Sequence, residues 1–243
     1  MANILIFTGG GYPSKKDAEH WLSFFGKIDC VIAADSGLDA ALDWGIIPDY
    51  VCGDMDSLAD KKSLEKIPDE KIKIWPTDKD YSDTEIALQT AASLYAGLSS
   101  EHGAGSALSG AVHHILLVGG SGGRIDHFLA ILKLYHADIF PDIWLCEEQA
   151  LLFLKPGHEL RLCSLPPEAP VSVFPVERDD CFAAGKREFC INSDGLKWKL
   201  DNLDWKKTPV SLSNRAEGGA ASFFAKNGAF LVIVPLSAEK YEE

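Results

Sequence analysis

The first 150 residues repeat one pattern that leaves few folds open. Short apolar runs end in glycine or aspartate: NILIFTGG (3–10), CVIAADSG (30–37), DYVCGD (49–54), KIKIWP (71–76) and HHILLVGG (113–120). Segments with helical spacing lie between them. KKDAEHWLSFFGK (15–27) carries Trp21, Phe24 and Phe25, and LDAALDWG (38–45) ends in a glycine suited to a helix C-cap. SDTEIALQTAASLYAG (82–97) opens on the capping-box pattern Ser82-x-x-Glu85, with Ile86, Thr90, Leu94 and Ala87, Ala91, Tyr95 in i, i+4 rows. IDHFLAILKLYH (125–136) sets Phe128, Ile131, Leu132 and Tyr135 on one face. Strands alternating with helices predict an α/β domain built on a mostly parallel sheet. The ligand of such a sheet lies beyond the carboxyl ends of its strands, where the glycines and aspartates of this chain fall.

After about residue 147 helical periodicity stops. Short runs follow, several of them alternating: ALLFLKPG, HELRLCS, VSVFPV, CFAAG, LKWKLDN and SFFAKNGAFLVIV. Asn227-Gly228 predicts a two-residue hairpin between strands, and LPPEAP (165–170) predicts a turn at a strand boundary. The division expected is an α/β domain over 1–147 followed by an antiparallel β-sandwich over 148–243. The small-residue stretch 99–111 reads as a loop with no assigned role.

The formal net charge of −13 argues against nucleic-acid and anionic-membrane partners, which require a basic face. Six cysteines include no C-x-x-C pair, so zinc and redox spacings are absent and core thiols are expected. The N-terminal run lacks the basic and long apolar regions of a secretory signal, and no stretch approaches membrane-span length, so a cytoplasmic location is expected.

The acids carry the chemistry. Asp54 and Asp56 follow the run ending at Gly53, and an extended backbone would point both carboxylates the same way. Close carboxylates repel unless a cation lies between them, and an oxygen-only ligand set favours Mg²⁺. A second cluster, Asp78, Asp80 and Asp83, precedes a helix, with Lys79 placed to meet a phosphate; Asp35 ends a further strand. Singly, each Asp serves equally as a turn or cap residue. The loop LLVGGSGGRIDHF (116–128) runs from strand to helix through four glycines, a form that lets backbone N–H groups approach phosphate oxygens. Gly120 and Gly122 belong to that loop. Arg124 offers a fork-shaped donor, and Asp126 is near enough to pair with it or to join the metal site. TGGGYPS (8–14) is a second loop of this kind.

AADSGLD, GDMDSL, DKDYSDTEIAL, GGSGGRIDH, GLKWKL and SLSN occur in one order over about residues 8 to 214, and with them the chain resembles the thiamine pyrophosphokinase family. The resemblance implies a catalytic α/β domain, a C-terminal β-sandwich, and a homodimer with thiamine bound between subunits. It implies transfer of the terminal pyrophosphate of ATP, the co-substrate, to the hydroxyethyl oxygen of thiamine, with AMP released. By motif, Asp54, Asp56 and Asp83 look like the Mg²⁺ and catalytic carboxylates and Asp35 like a further acid of the site. Arg124 and Asp126 look like the phosphate-side pair, and Trp198, Ser213 and Asn214 like thiamine contacts. The ATP-side set is Asp35, Lys79, Asp80, Gly120, Gly122 and Arg124. Asp83 is the first choice to take the hydroxyl proton, and an indole suits the cationic, flat thiamine. Two rival readings are another D-x-D metal enzyme, such as a nucleotide-sugar transferase or phosphohydrolase, and a non-catalytic nucleotide- or thiamine-binding protein.

Overall fold

A computed structural model of the chain describes residues 2–76, 78, 80–99, 113–183 and 186–241. Two compact units divide it: Met1–Lys15 with Phe25–Glu147, and Lys16–Phe24 with Glu148–Glu243.

The first unit holds six parallel strands: β1 (Ala2–Phe7), β2 (Cys30–Ala34), β3 (Tyr50–Gly53), β4 (Ile72–Ile74), β5 (His113–Val118) and β6 (Ile143–Leu145). Their spatial order is β6-β5-β1-β2-β3-β4, every neighbouring pair parallel. Central β1 is apolar and buried from Ile4 to Phe7, as a strand covered on both faces requires. Edge strand β4 is only partly buried. Parallel direction brings the carboxyl ends of all six strands to one edge.

Helices α1 (Lys15–Phe25), α2 (Gly37–Asp43), α3 (Asp83–Ser99) and α4 (Ile125–Leu134) form where the spacing predicts them. The α3 capping box is built as read: Ser82 N–H donates to Glu85 Oε2 at 2.8 Å, and Glu85 N–H to Ser82 Oγ at 3.3 Å. Gly45 ends α2 with a positive φ of 71°, and its N–H bonds Leu42 O at 2.9 Å. The apolar run at β6 lies outside the strands the sequence pattern singles out. The stretch 99–111 falls, apart from Ser99, outside the described residues.

The second unit contains two antiparallel sheets. One has the order β11-β9-β13-β7, with β7 (Gln149–Leu154), β9 (Val171–Val176), β11 (Ser211–Asn214) and β13 (Ala229–Pro235). The other has the order β10-β12-β8-β14, with β8 (Glu159–Cys163), β10 (Cys190–Asp194), β12 (Ala221–Asn227) and β14 (Glu239–Lys240). The fold is thus a mostly parallel α/β sheet and a β-sandwich. The α1 residues counted in this unit anchor to it: the buried Trp21 indole N–H donates to Leu236 O at 2.8 Å.

One expectation is corrected. Asn227-Gly228 does not close a hairpin: β12 pairs with β8 and β10, whereas β13 pairs with β7 and β9. The turn carries the chain from one sheet to the other. Gly228 supplies the positive φ of 77°, and the Asn227 amide nitrogen donates to Lys186 O and Glu188 O at 3.0 and 2.6 Å. LPPEAP does connect two strands, β8 and β9. All six cysteines are free.

Candidate functional site

Three carboxylates meet at the carboxyl edge of the parallel sheet. Asp35 follows β2, Asp54 follows β3 and Asp83 begins α3; one oxygen from each lies within 4.8 Å of the others. Local backbone geometry brings them together. Asp35 takes a left-handed φ of 47°, and its N–H bonds Cys52 O at 2.8 Å, tying the end of β2 to β3. Gly53 has a φ of 135°, and a Cβ there would stand 2.9 Å from Asp83 Oδ1 and 3.1 Å from the Asp35 Cβ. Only glycine leaves room for the three acids to converge. On the α3 side, buried Thr84 shares a 2.7 Å hydroxyl–hydroxyl hydrogen bond with Thr8, which follows β1. That contact fixes the first turn of the helix against the strand ends.

The D-x-D geometry differs from the extended pair expected. Met55 adopts a left-handed φ of 59° and buries its side chain in the cluster of Ala33, Leu38, Val51, Leu58 and Ile67. The backbone between Asp54 and Asp56 therefore turns, and the i, i+2 argument does not apply. Asp54 joins Asp35 and Asp83, while Asp56 is exposed and outside the trio. The Ser57 hydroxyl donates to Asp56 Oδ1 at 2.8 Å and is also a hydrogen-bond partner of Asp35. It has one proton to share between them. Asp78 and Asp80 are exposed and likewise outside the trio; Lys79 lies outside the described residues.

Asp35 is only 8% exposed, and its Oδ1 has no hydrogen-bond partner among the described residues. Burial, more than any other cause, pushes its carboxyl above the ordinary range. The charges of Asp83 and Asp54 push the same way, against hydrogen bonds from Ser36 and Ser57 that lower it. A buried acid facing two others, with one oxygen lacking a donor, is costly without a counter-charge. An oxygen-only donor set of this kind fits Mg²⁺.

The two glycine loops, after β1 and β5, are bonded to each other. Gly120 N–H donates to Gly9 O at 2.8 Å, Gly11 N–H donates to Ser121 O, and Ser121 Oγ donates to Gly11 O at 2.8 Å. Gly119 N–H donates to Leu145 O at 3.0 Å. The N–H groups of Gly119, Gly120 and Ser121 are thus engaged within the protein, so any open phosphate donors of this loop lie beyond Ser121. Gly120 is a buried wall residue; Gly122 is exposed. Arg124 and Asp126 pair with each other through bonds of 3.1 and 2.6 Å, both exposed. That pairing lowers the Asp126 carboxyl and raises the Arg124 guanidinium.

Sequence reasoning passed over Glu147, which follows β6. Its N–H donates to Ser121 Oγ at 3.1 Å, and its carboxylate lies over Gly11 and Gly122. The signal was present: IWLCEE is one more apolar run ending in acid.

In the second unit, Trp198 is 52% exposed and its backbone is clamped by Asn214. Trp198 N–H donates to Asn214 Oδ1 at 3.2 Å, and Asn214 Nδ2 donates to Trp198 O at 2.7 Å. Asn214 is 1% exposed, and its side-chain amide is engaged with the Trp198 backbone. Ser213 is exposed, at a left-handed φ of 55°. Lys197 Nζ and Arg215 Cζ lie 5.0 and 5.4 Å from the indole centroid, and Arg215 is held by Glu168 at 2.5 Å.

A family model described as "Thiamin pyrophosphokinase, catalytic domain" matches residues 22–145, a span that holds β2 through β6 and the acidic trio. Among solved structures, the chain is similar to a thiamin pyrophosphokinase from Geobacillus thermodenitrificans, at 24% identity and TM-score 0.61, over 96% of this chain and 97% of that one. The Bacillus subtilis enzyme aligns at 20% identity and TM-score 0.64, over 96% and 98%. The Candida albicans enzyme aligns at 16% identity and TM-score 0.66, over 96% and 89%. At these identities the likeness shows a shared fold. No curated protein matches the chain by sequence.

Proposed function

The chain belongs to the thiamin pyrophosphokinase family, and from that premise we propose that it transfers the terminal pyrophosphoryl group of ATP to the hydroxyethyl oxygen of thiamine, giving thiamine diphosphate and AMP. The observation that carries the reading is the convergence of Asp35, Asp54 and Asp83 at the strand ends. Attack on a polyphosphate brings an oxygen toward phosphorus surrounded by negative charge, so catalysis rests on positioning and charge compensation. Mg²⁺, if held by Asp35, Asp54 and Asp83, would supply that compensation. Asp56, exposed and two residues from Asp54, would be a further carboxylate for the same ion, and Asp83 is the residue assigned to receive the hydroxyl proton.

The rest of the reading follows the motifs. Arg124 exchanges Asp126 for phosphate oxygens, a substitution its exposed guanidinium permits. Lys79 and Asp80 complete the ATP side. Trp198 offers its indole to thiamine, Ser213 is a second contact by motif, and Asn214 holds the Trp198 backbone. Lys197 and Arg215 already lie near that ring, so a cationic substrate has to displace charge there, while the diphosphate of the product is favoured by it. The active form in this reading is a homodimer with thiamine bound between subunits, in the cytoplasm. No helix among the described residues is long and apolar enough to cross a membrane.

The test is product analysis. Incubation with ATP, thiamine and Mg²⁺ is expected to give AMP and thiamine diphosphate in equal amounts, with neither formed when thiamine or Mg²⁺ is omitted. ADP as the nucleotide product, or no thiamine-dependent turnover by folded protein, rejects the reading.

A further inference from the structure

The strand order places a topological switch point at β1. From β1 the chain steps outward through β2, β3 and β4, then returns to the other side of β1 for β5 and β6. In open parallel sheets the crevice outside such a point receives the ligand. Here its floor is the bonded pair of glycine loops, and the residue that reaches over it is Glu147. The Ser121 hydroxyl fixes the Glu147 backbone and is itself fixed on Gly11 O. A Cβ on Gly11 would come within 2.5 Å of Glu147 Oε2, and one on Gly122 within 3.1 Å. Glycine at position 11 leaves the space the carboxylate occupies, and Gly122 also takes a positive φ of 66°.

The Glu147 carboxylate is exposed and, among the described residues, has no hydrogen-bond or ion-pair partner. A carboxylate only accepts hydrogen bonds. It repels phosphate oxygens and suits hydroxyl donors, much as the acidic side chain of a dinucleotide-binding sheet takes a ribose 2′-hydroxyl. We propose that Glu147 accepts hydrogen bonds from the ribose hydroxyls of the bound nucleotide, so that the nucleoside lies over β1, β5 and β6 and its phosphates run toward the trio beyond β2 and β3. This inference rests on the reading of the site as one for ATP. It makes Glu147 a specificity residue for ribonucleotides.

The experiment is calorimetric titration of the full chain, with Mg²⁺ present, by ATP and by 2′,3′-dideoxy-ATP. The wild type is expected to bind ATP about tenfold more tightly or better, as charge-assisted hydrogen bonds imply. Glu147→Ala is expected to bring the ratio close to one, and Glu147→Gln, which keeps an uncharged acceptor, to leave an intermediate ratio. Thiamine-dependent AMP formation is scored in parallel. A ribose preference without AMP formation rejects the proposed reaction and leaves the role of Glu147 standing. AMP formation with equal affinity for the two nucleotides overturns the role of Glu147 and leaves the reaction standing. Full ribose preference in Glu147→Ala, a change in the KM for thiamine in place of nucleotide affinity, or no nucleotide binding by the wild type also overturns it. Melting curves verify folding, and the comparison within the wild type decides even if a variant is unstable.

Discussion

Asp35 shows most clearly how a residue here trades stability for chemistry. It is buried, left-handed in backbone conformation and faced by Asp54 and Asp83. Its folded-state pKa lies above the unfolded value, so the folded protein holds the proton more tightly. The stability this gives is complete below the ordinary carboxylate pKa of about 4 and is lost as pH rises through the raised folded value. Asn tolerates a left-handed φ and carries no charge. In chelator, Asp35→Asn is therefore expected to melt above the wild type at neutral pH, the gap narrowing as pH falls toward 4, and to lose the Mg²⁺-induced rise in melting temperature. Equal melting at neutral pH with an unchanged Mg²⁺ response would contradict this. The strand-end rule picks out Asp35 and Asp54 from sequence, and the acidic cluster before α3 picks out Asp83. The positive φ of Gly53 and Met55 was hidden, because it depends on Met55 finding the core between β2, β3 and α2. For the same reason Asp56 was grouped with Asp54 by spacing, although the turn separates them.

At the scale of elements, local signals read correctly and non-local ones did not. The capping box of α3 involves residues three apart, and Ser82 and Glu85 make the bonds the pattern implies. Asn227-Gly228 specifies a tight turn, but which strands pair is decided by apolar faces elsewhere, and β12 and β13 enter different sheets. Strand β6 was too short for its period to register, and Glu147 was overlooked with it. Since α3 delivers Asp83 and Thr84, its cap bears on the site. Ser82→Ala is expected to lower stability by about 1 kcal/mol, read as a reduced midpoint in denaturant. It should also weaken Mg²⁺ binding, because the first turn that holds Asp83 frays. Unchanged Mg²⁺ affinity at reduced stability would mean that Thr84 alone fixes that turn.

For the whole molecule, the loss of helical periodicity near residue 147, with short and partly alternating apolar runs after it, announces the β-sandwich. That Lys16–Phe24 is counted with the second unit was not readable. Periodicity shows that α1 has an apolar face but not what the face covers, and the Trp21 bond to Leu236 O spans most of the chain. If thiamine binds between two copies, specific activity is expected to fall on dilution through the dimer dissociation range, in step with a shift in sedimentation. Constant specific activity from a strictly monomeric protein would contradict a shared pocket. The central claim is that the carboxylates beyond β2 and β3 are the cation end of a thiamine-dependent pyrophosphoryl-transfer site. Its most direct test compares AMP and thiamine diphosphate formation by the wild type and Asp54→Asn, both verified as folded. The account predicts thiamine- and Mg²⁺-dependent AMP from the wild type and a loss of at least about a hundredfold in the variant, the scale on which removal of a charge-stabilising group acts; an unchanged rate in Asp54→Asn would contradict it.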